Sequence, residues 1–146
     1  MSMMVPSKVF YTATAHATGG RNGHTESEDG VVKHELSLPA SIAGTHKAGT
    51  TTPEDLFAAG YAACFGGAID FFARQNGVDG SGAVITVKAG IGEVATGWGL
   101  SVDIQVKLPN ATDRAAAQKV VDLAHAGCPY SNATRGNIPV TVALVD

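Results

Sequence analysis

The chain has 146 residues, 45% of them hydrophobic and 16% charged, with a formal net charge of −3. That is the length of a single domain, residues 1–146, able to bury roughly two thirds of its unfolded surface without a metal or disulfide staple. Basic residues are too thinly spread to form a footprint for nucleic acid or an anionic membrane, so neither is an expected partner.

The segment from Met1 to Phe10 carries one Lys and no apolar run of signal-peptide length, and the expected compartment is the cytoplasm. From Val9 to His16 the sequence alternates and is rich in β-formers, and it alternates again from Val31 to Leu38; these read as two strands joined by a long polar loop. Residues 39–51 form a Gly- and Thr-rich connection. A helix then begins with Thr52 at the N-cap, Pro53 at N1 and Asp55 completing a capping-box pattern.

This helix is apolar on nearly every face from Leu56 to Ala73, which predicts a central element buried on several sides. Its many Ala and Gly residues have little bulk, so neighbouring backbones or a second subunit must come close to exclude water. Asp70, the glycines and the charged flanks argue against a membrane span. Asn76-Gly77 marks its stop. Residues 83–95 and 100–108 then read as a hairpin turning at T-G-W-G (96–99), and residues 113–126 as an amphipathic helix with Thr112 as a possible cap. Cys128-Pro129 follows. A short helical turn over 131–135 and a final strand over 138–145 complete the chain, an α+β order of elements.

Two cysteines in a cytoplasmic chain are more often reduced, catalytic or buried than locked in a bridge. Cys64 lies in the middle of an apolar helix, where its plainest reading is a small buried hydrophobe. Cys128, between a helix end and a Pro, can be equally inert. Cys64, Cys128 and His125 also offer three metal ligands, but there is no C-x-x-C and no His pair at i and i+4. G-G-R-N-G lacks the Lys-Ser/Thr ending of a phosphate loop. Residue types alone leave these readings open.

Four segments narrow them: T-G-G-R-N-G (18–23), S-E-D-G (27–30), T-P-E-D-L-F-A-A-G-Y-A-A-C-F (52–65) and C-P-Y-S-N-A-T-R-G-N-I (128–138). In order, and across essentially the whole chain, they resemble the organic hydroperoxide resistance family, within the superfamily it shares with osmotically induced peroxidases. The resemblance implies antiparallel sheets wrapping a long central helix in an intertwined homodimer. It also implies a cofactor-free, metal-free thiol peroxidase that reduces organic hydroperoxides to alcohols and is recharged by a dithiol, expected on a lipoyl-bearing protein. Cys64 falls at the peroxidatic position, Cys128 at the resolving position, Arg21 at the active-site arginine and Glu54 at its carboxylate partner. Thr52 and Asp55 depart from the Asn and Gln expected around Pro53-Glu54.

These residue types suit that chemistry. A free thiol with its pKa near 8.5 is only a few per cent thiolate at neutral pH, and a nearby Arg raises that fraction without losing its own charge. The planar guanidinium can hold Glu54 with one edge while facing a sulfur or peroxide oxygen with another. Glu54 and Cys64 are ten residues apart, about 15 Å of rise on one straight helix. Glu54 therefore either folds back with Arg21 or reaches Cys64 of a second chain across an antiparallel dimer. Phe57, Phe65, Phe71 and Phe72 are the aromatic candidates for an apolar substrate pocket. The alternatives are an osmotic-stress type of peroxidase with a broader peroxide preference and a non-catalytic redox-sensing or binding module.

Overall fold

The computed structural model describes residues 2–146, which gather into two units, Ser2–Leu56 and Phe57–Asp146. The first is built on β1 (Ala15–Thr18), β2 (His24–Ser27) and β3 (Lys33–Glu35), paired antiparallel in that order. Only the last two residues of the expected strand over 9–16 enter β1. Val9, Phe10 and Tyr11 lie outside any strand and are exposed, because alternation marks a strand only where a partner ladder meets it. The expected polar loop is itself structured. It holds a 3-10 turn at Gly20–Asn22 and then β2, whose register runs from Ala15↔Ser27 to Thr18↔His24 and from His24↔Glu35 to Glu26↔Lys33.

Gly23 is obligatory in that turn, and Gly19 and Gly20 suit its left-handed positions. Gly19 and Gly20 have φ of 75° and 59°, and a Cβ at Gly23 would lie 1.8 Å from the Thr18 carbonyl oxygen. The ends of the turn therefore meet backbone to backbone, fixing the root of the Arg21 side chain. After β3, a parallel bridge joins Leu36 to Thr51.

The helix α1 (Pro53–Gln75) starts where its cap predicts. Thr52 Oγ1 accepts the Asp55 backbone N–H at 3.0 Å, while the Asp55 carboxylate turns to the Thr51 hydroxyl at 3.2 Å. The capping box thus closes on one side only. At the other end Gly77 is left-handed, and the N–H groups of Gly77 and Val78 return to the carbonyls of Arg74 and Ala73, a Schellman stop.

In the second unit α1 lies in a core with β4 (Val84–Val94), β5 (Gly97–Lys107), α2 (Arg114–Gly127), α3 (Pro129–Thr134) and β6 (Val140–Val145). β4 and β5 form the expected hairpin, turning at Ala95–Thr96, one step earlier than T-G-W-G. β6 lies parallel to β5, from Val102↔Val140 to Lys107↔Val145. The antiparallel expectation is corrected there: the chain returns through α2 and α3, and such a crossover brings a strand back in the same direction. Asp113, rather than Thr112, caps α2 by accepting the Ala115 and Ala116 N–H groups.

Three periodicities meet in the core. Tyr61, Phe65, Ile69 and Ala73 recur every four residues on α1, Val102, Ile104 and Val106 every second residue on β5, and Ala117, Val120, Val121 and Ala124 at helical spacing on α2. Full burial of side chains such as Phe65 or Ile104 contributes about 1.5–3 kcal/mol each. Within the single chain the helix is buried on one face, and Ala59, Ala63, Gly67 and Phe71 are exposed on another, the face the expectation left to a second subunit. By length and composition α1 is also apolar enough to cross a membrane, but its exposed face carries the Asp70–Arg74 ion pair.

Candidate active site

Cys64 is on α1, immediately before the fully buried Phe65. Cys128 occupies the corner between two helices. Its N–H caps α2 through the Ala124 carbonyl at 2.8 Å, and its own carbonyl accepts the Asn132 N–H of α3 at 2.9 Å. Pro129 at N1 pre-sets the second helix, and Gly127 leaves room for the Phe72 ring, which a Cβ would meet at 2.8 Å. The corner brings Cys128 Sγ to 3.6 Å from Cys64 Sγ.

Both thiols are free; Cys128 has no exposed surface, whereas Cys64 is half-buried. Burial pushes the Cys64 thiol above its ordinary pKa, because an anion loses hydration there. The Tyr130 backbone N–H, aimed at the sulfur, works in the opposite direction, and neighbouring Cys128 adds to the rise. Within residues 57–146 the thiol is thus well placed but not activated.

Beneath the pair lies a buried cluster that sequence reasoning missed. Tyr61 Oη lies 2.7 Å from Ser131 Oγ and 3.1 Å from Thr134 Oγ1, and His125 Nδ1 lies 2.9 Å from the same Ser131 oxygen. Burial and the nearby Arg135 charge lower the His125 pKa, favouring the neutral ring. The available signal was Tyr61 itself, a hydroxyl in an otherwise apolar helix face that must find a partner when buried.

The other two predicted residues meet in the first unit. Arg21 Nη1 and Nη2 donate to Glu54 Oε2 and Oε1 at 2.9 and 2.7 Å, a two-pronged pair within one chain. Glu54 is at N2 of α1, where the helix N-terminus also favours a carboxylate. Its side chain is only 12% exposed against 40% for Arg21, so the carboxylate depends on its partner more than the guanidinium does. Arg21 holds the Glu54 carboxyl below the usual range, and Glu54 raises Arg21 in return. Beside them Ala17, Leu36, Pro53 and Leu56 wall an apolar hollow of about 260 Å³ with Arg21 at its edge. A larger hollow, about 390 Å³ and lined by residues such as Lys107, Arg114 and Asp146, contains none of the predicted residues.

The four phenylalanines do not share one surface. Phe57 packs with Tyr61 and Tyr130, Phe65 is in the core against the His125 ring, and Phe71 meets Phe72 edge to face. His24 lies between Glu26 and Glu35 on the small sheet. Among the described residues no three His, Cys, Asp or Glu side chains gather where a metal ion could be held.

A half-buried thiol touching a buried one, on an α+β scaffold, can pass between dithiol and disulfide with little movement; this is the class of site the fold presents. The OsmC-like protein family model matches residues 44–143. The organic hydroperoxide resistance protein of Xanthomonas axonopodis pv. citri (strain 306) is 48% identical over 143 residues, covering 97% of this chain and 99% of its own. Organic hydroperoxide resistance protein OhrB of Bacillus subtilis (strain 168) is 41% identical, with 92% and 98% covered. The crystal structure of an organic hydroperoxide resistance protein from Elizabethkingia anophelis, with thiocyanate bound, superposes with a TM-score of 0.87 at 41% identity, covering 95% of this chain and 99% of that one. The chain belongs to the OsmC-like family, in its organic hydroperoxide resistance branch.

Proposed function

We propose that this protein is a cytoplasmic thiol peroxidase that protects against organic hydroperoxides by reducing them to alcohols. The observation that carries the reading is the contact of half-buried Cys64 with fully buried Cys128, 3.6 Å between sulfurs. The outer thiol is reachable by a substrate and the inner one is protected until it is needed. The names of the relatives supply the substrate class.

The Cys64 thiolate attacks the distal peroxide oxygen, an S–O bond forms, the O–O bond breaks, and the alkoxide leaves as alcohol after taking a proton. Cys64 is then a sulfenic acid. Cys128 attacks that sulfur; the S–S bond forms, hydroxide departs, and the Cys128 proton completes a water molecule. Two electrons from a dithiol, which we assign to a lipoyl-bearing protein, restore both thiols. Burial disfavours the Cys64 anion, a cation beside it offsets that cost, and Arg21 is the residue we assign to it. Glu54 fixes the guanidinium plane, and the hollow at Arg21 has the apolar walls that an alkyl chain prefers over hydrogen peroxide. The exposed Ala59, Ala63 and Gly67 face of α1 supports a homodimer, since it has no bulk to cover itself.

Steady-state assays with tert-butyl or lipid hydroperoxide against hydrogen peroxide, recharged by dihydrolipoamide or thioredoxin, test the reading. Many turnovers with the organic substrate and dihydrolipoamide are expected. A protein that consumes one equivalent and stops is a sensor, and comparable rates with hydrogen peroxide point to the osmotic-stress type.

A further inference from the structure

Tyr61 stands three residues before Cys64 on α1, and Ser131 three residues after Cys128 on α3. The 2.7 Å hydrogen bond between them therefore runs beside the thiol contact, close to one helical turn from each sulfur-bearing residue. Thr134 adds a second bond from α3 to the same Tyr61 oxygen, and His125 ties Ser131 to α2. Tyr61 and Ser131 have no exposed surface and Thr134 is 6% exposed.

A helix of six residues is too short to hold its own shape in water, so tertiary contacts set the place of α3. Packing of the Tyr130 ring over Gly60 and against Tyr61 supplies adhesion but tolerates sliding. Hydrogen bonds are directional and do not. The first turn of α3 carries both Cys128 and the Tyr130 N–H that faces the Cys64 sulfur.

We propose that the buried Tyr61, Ser131 and Thr134 hydroxyls, anchored by His125, form a clasp whose task is to hold Cys128 in exchange distance of Cys64. Tyr61, Ser131 and Thr134 are positioning residues for disulfide formation; the inference deepens the peroxidase reading and rests on it for its physiological oxidant. Without the clasp, Cys128 spends less time in reach, the effective concentration of one thiol at the other falls, and Cys64 sulfenic acid survives longer, open to a second oxidation.

Two measurements on the intact protein separate the clasp from the reading. In the first, wild type, Tyr61→Phe, Ser131→Ala, Thr134→Val and the Tyr61→Phe/Ser131→Ala pair are equilibrated with reduced and oxidised glutathione, and the disulfide fraction is read by mass spectrometry. Here two protein thiols become a disulfide as one oxidised glutathione becomes two reduced ones, and no peroxide is involved. Each single variant is expected to lower the equilibrium constant roughly five- to tenfold, about the worth of one buried hydrogen bond. The pair is expected to lower it by less than the product of the two singles, as residues sharing one bond must. Equilibrium constants within twofold of wild type overturn the clasp, as does loss of the far-UV helical signal in Tyr61→Phe and Thr134→Val, since these near-isosteric changes would then be breaking the fold. In the second, one equivalent of tert-butyl hydroperoxide is added and sulfinic acid at Cys64 is counted; the variants should accumulate several times more than wild type, and equal amounts again count against the clasp. If wild type ignores the hydroperoxide while the glutathione shifts persist, the peroxidase reading falls and the clasp stands as a feature of the dithiol pair.

Discussion

Residues 57–146 and residues 2–56 solve opposite problems. The former bury whole stripes of Phe, Ile and Val, and seat two thiols among them. The latter bury Leu36 and Ser37 among the described residues and otherwise rely on short polar strands and ion pairs. A nucleophile that must not wander is best placed against a packed core, yet the same burial disfavours its reactive anion. A permanent cation has the reverse requirement, because desolvating it costs several kcal/mol while a thin, wet sheet leaves it hydrated. The thiols lie in the better-packed unit and the arginine in the wetter one.

The sharpest way to break this contrast is to remove the nucleophile. Cys64→Ser should abolish hydroperoxide consumption with the circular dichroism spectrum unchanged, since a neutral hydroxyl of nearly the same volume cannot attack the peroxide. Retained turnover would move the chemistry elsewhere. Cys128→Ser should still undergo the first oxidation and then stall, with mass spectrometry finding one or two added oxygens on Cys64 after one equivalent of peroxide.

Arg21→Ala tests the other half. The second-order rate constant with an organic hydroperoxide should fall about a hundredfold, because a donor to the departing oxygen is lost with the charge. The pH at which the rate rises should also move upward, towards that of a thiol governed by burial alone. Arg21→Lys should recover part of the pH shift but less of the rate, since ammonium lacks the two-pronged fork that Glu54 holds. Superimposable profiles for the three proteins would remove Arg21 from the mechanism.

Stability should divide along the same line. Ile104→Ala, in the core, is expected to cost about 2–5 kcal/mol in urea unfolding. Thr25→Ala, on the small sheet, should cost about 0.5 kcal/mol or less. The Glu54 effect is likewise small. Its carboxyl is lowered in the folded protein, so the stabilisation is fully present above the unfolded-state pKa and is lost as pH falls through the lowered folded value. With Arg21 partly open to water, the contribution is at most about 1 kcal/mol. Wild type and Glu54→Gln should therefore differ slightly at neutral pH and converge in acid; a difference that grows in acid would contradict the pairing.

What the sequence revealed of this fold tracks how much apolar surface each element buries. The 84–107 hairpin and α2 were legible because their alternation and helical spacing are core-forming, and the start of α1 because Thr52-Pro53 is a local signal. β2 was not, since His24, Thr25, Glu26 and Ser27 offer no apolar face and resemble a loop until β1 and β3 flank them. The exposed Val9–Tyr11 stretch erred the other way. At the site, the Cys64–Cys128 and Arg21–Glu54 pairings came from resemblance to a family, as nothing in the spacing joins residues 64 or 33 positions apart. The Tyr61 cluster depends on α3 folding back against α1, which no local pattern encodes.

The one-sided stripe of α1 also sets a schedule. β5, which shares its core, is complete only at Lys107, 32 residues after the helix ends at Gln75. At about 5–20 residues per second of translation, that is roughly two to six seconds. Until β5 is made, the apolar stripe of Tyr61, Phe65 and Ile69 lacks Val102, Ile104 and Val106, with which it shares a core. The stripe beside Cys64 therefore gains its cover only from residues made after it, and Cys128, 64 positions on, arrives later still.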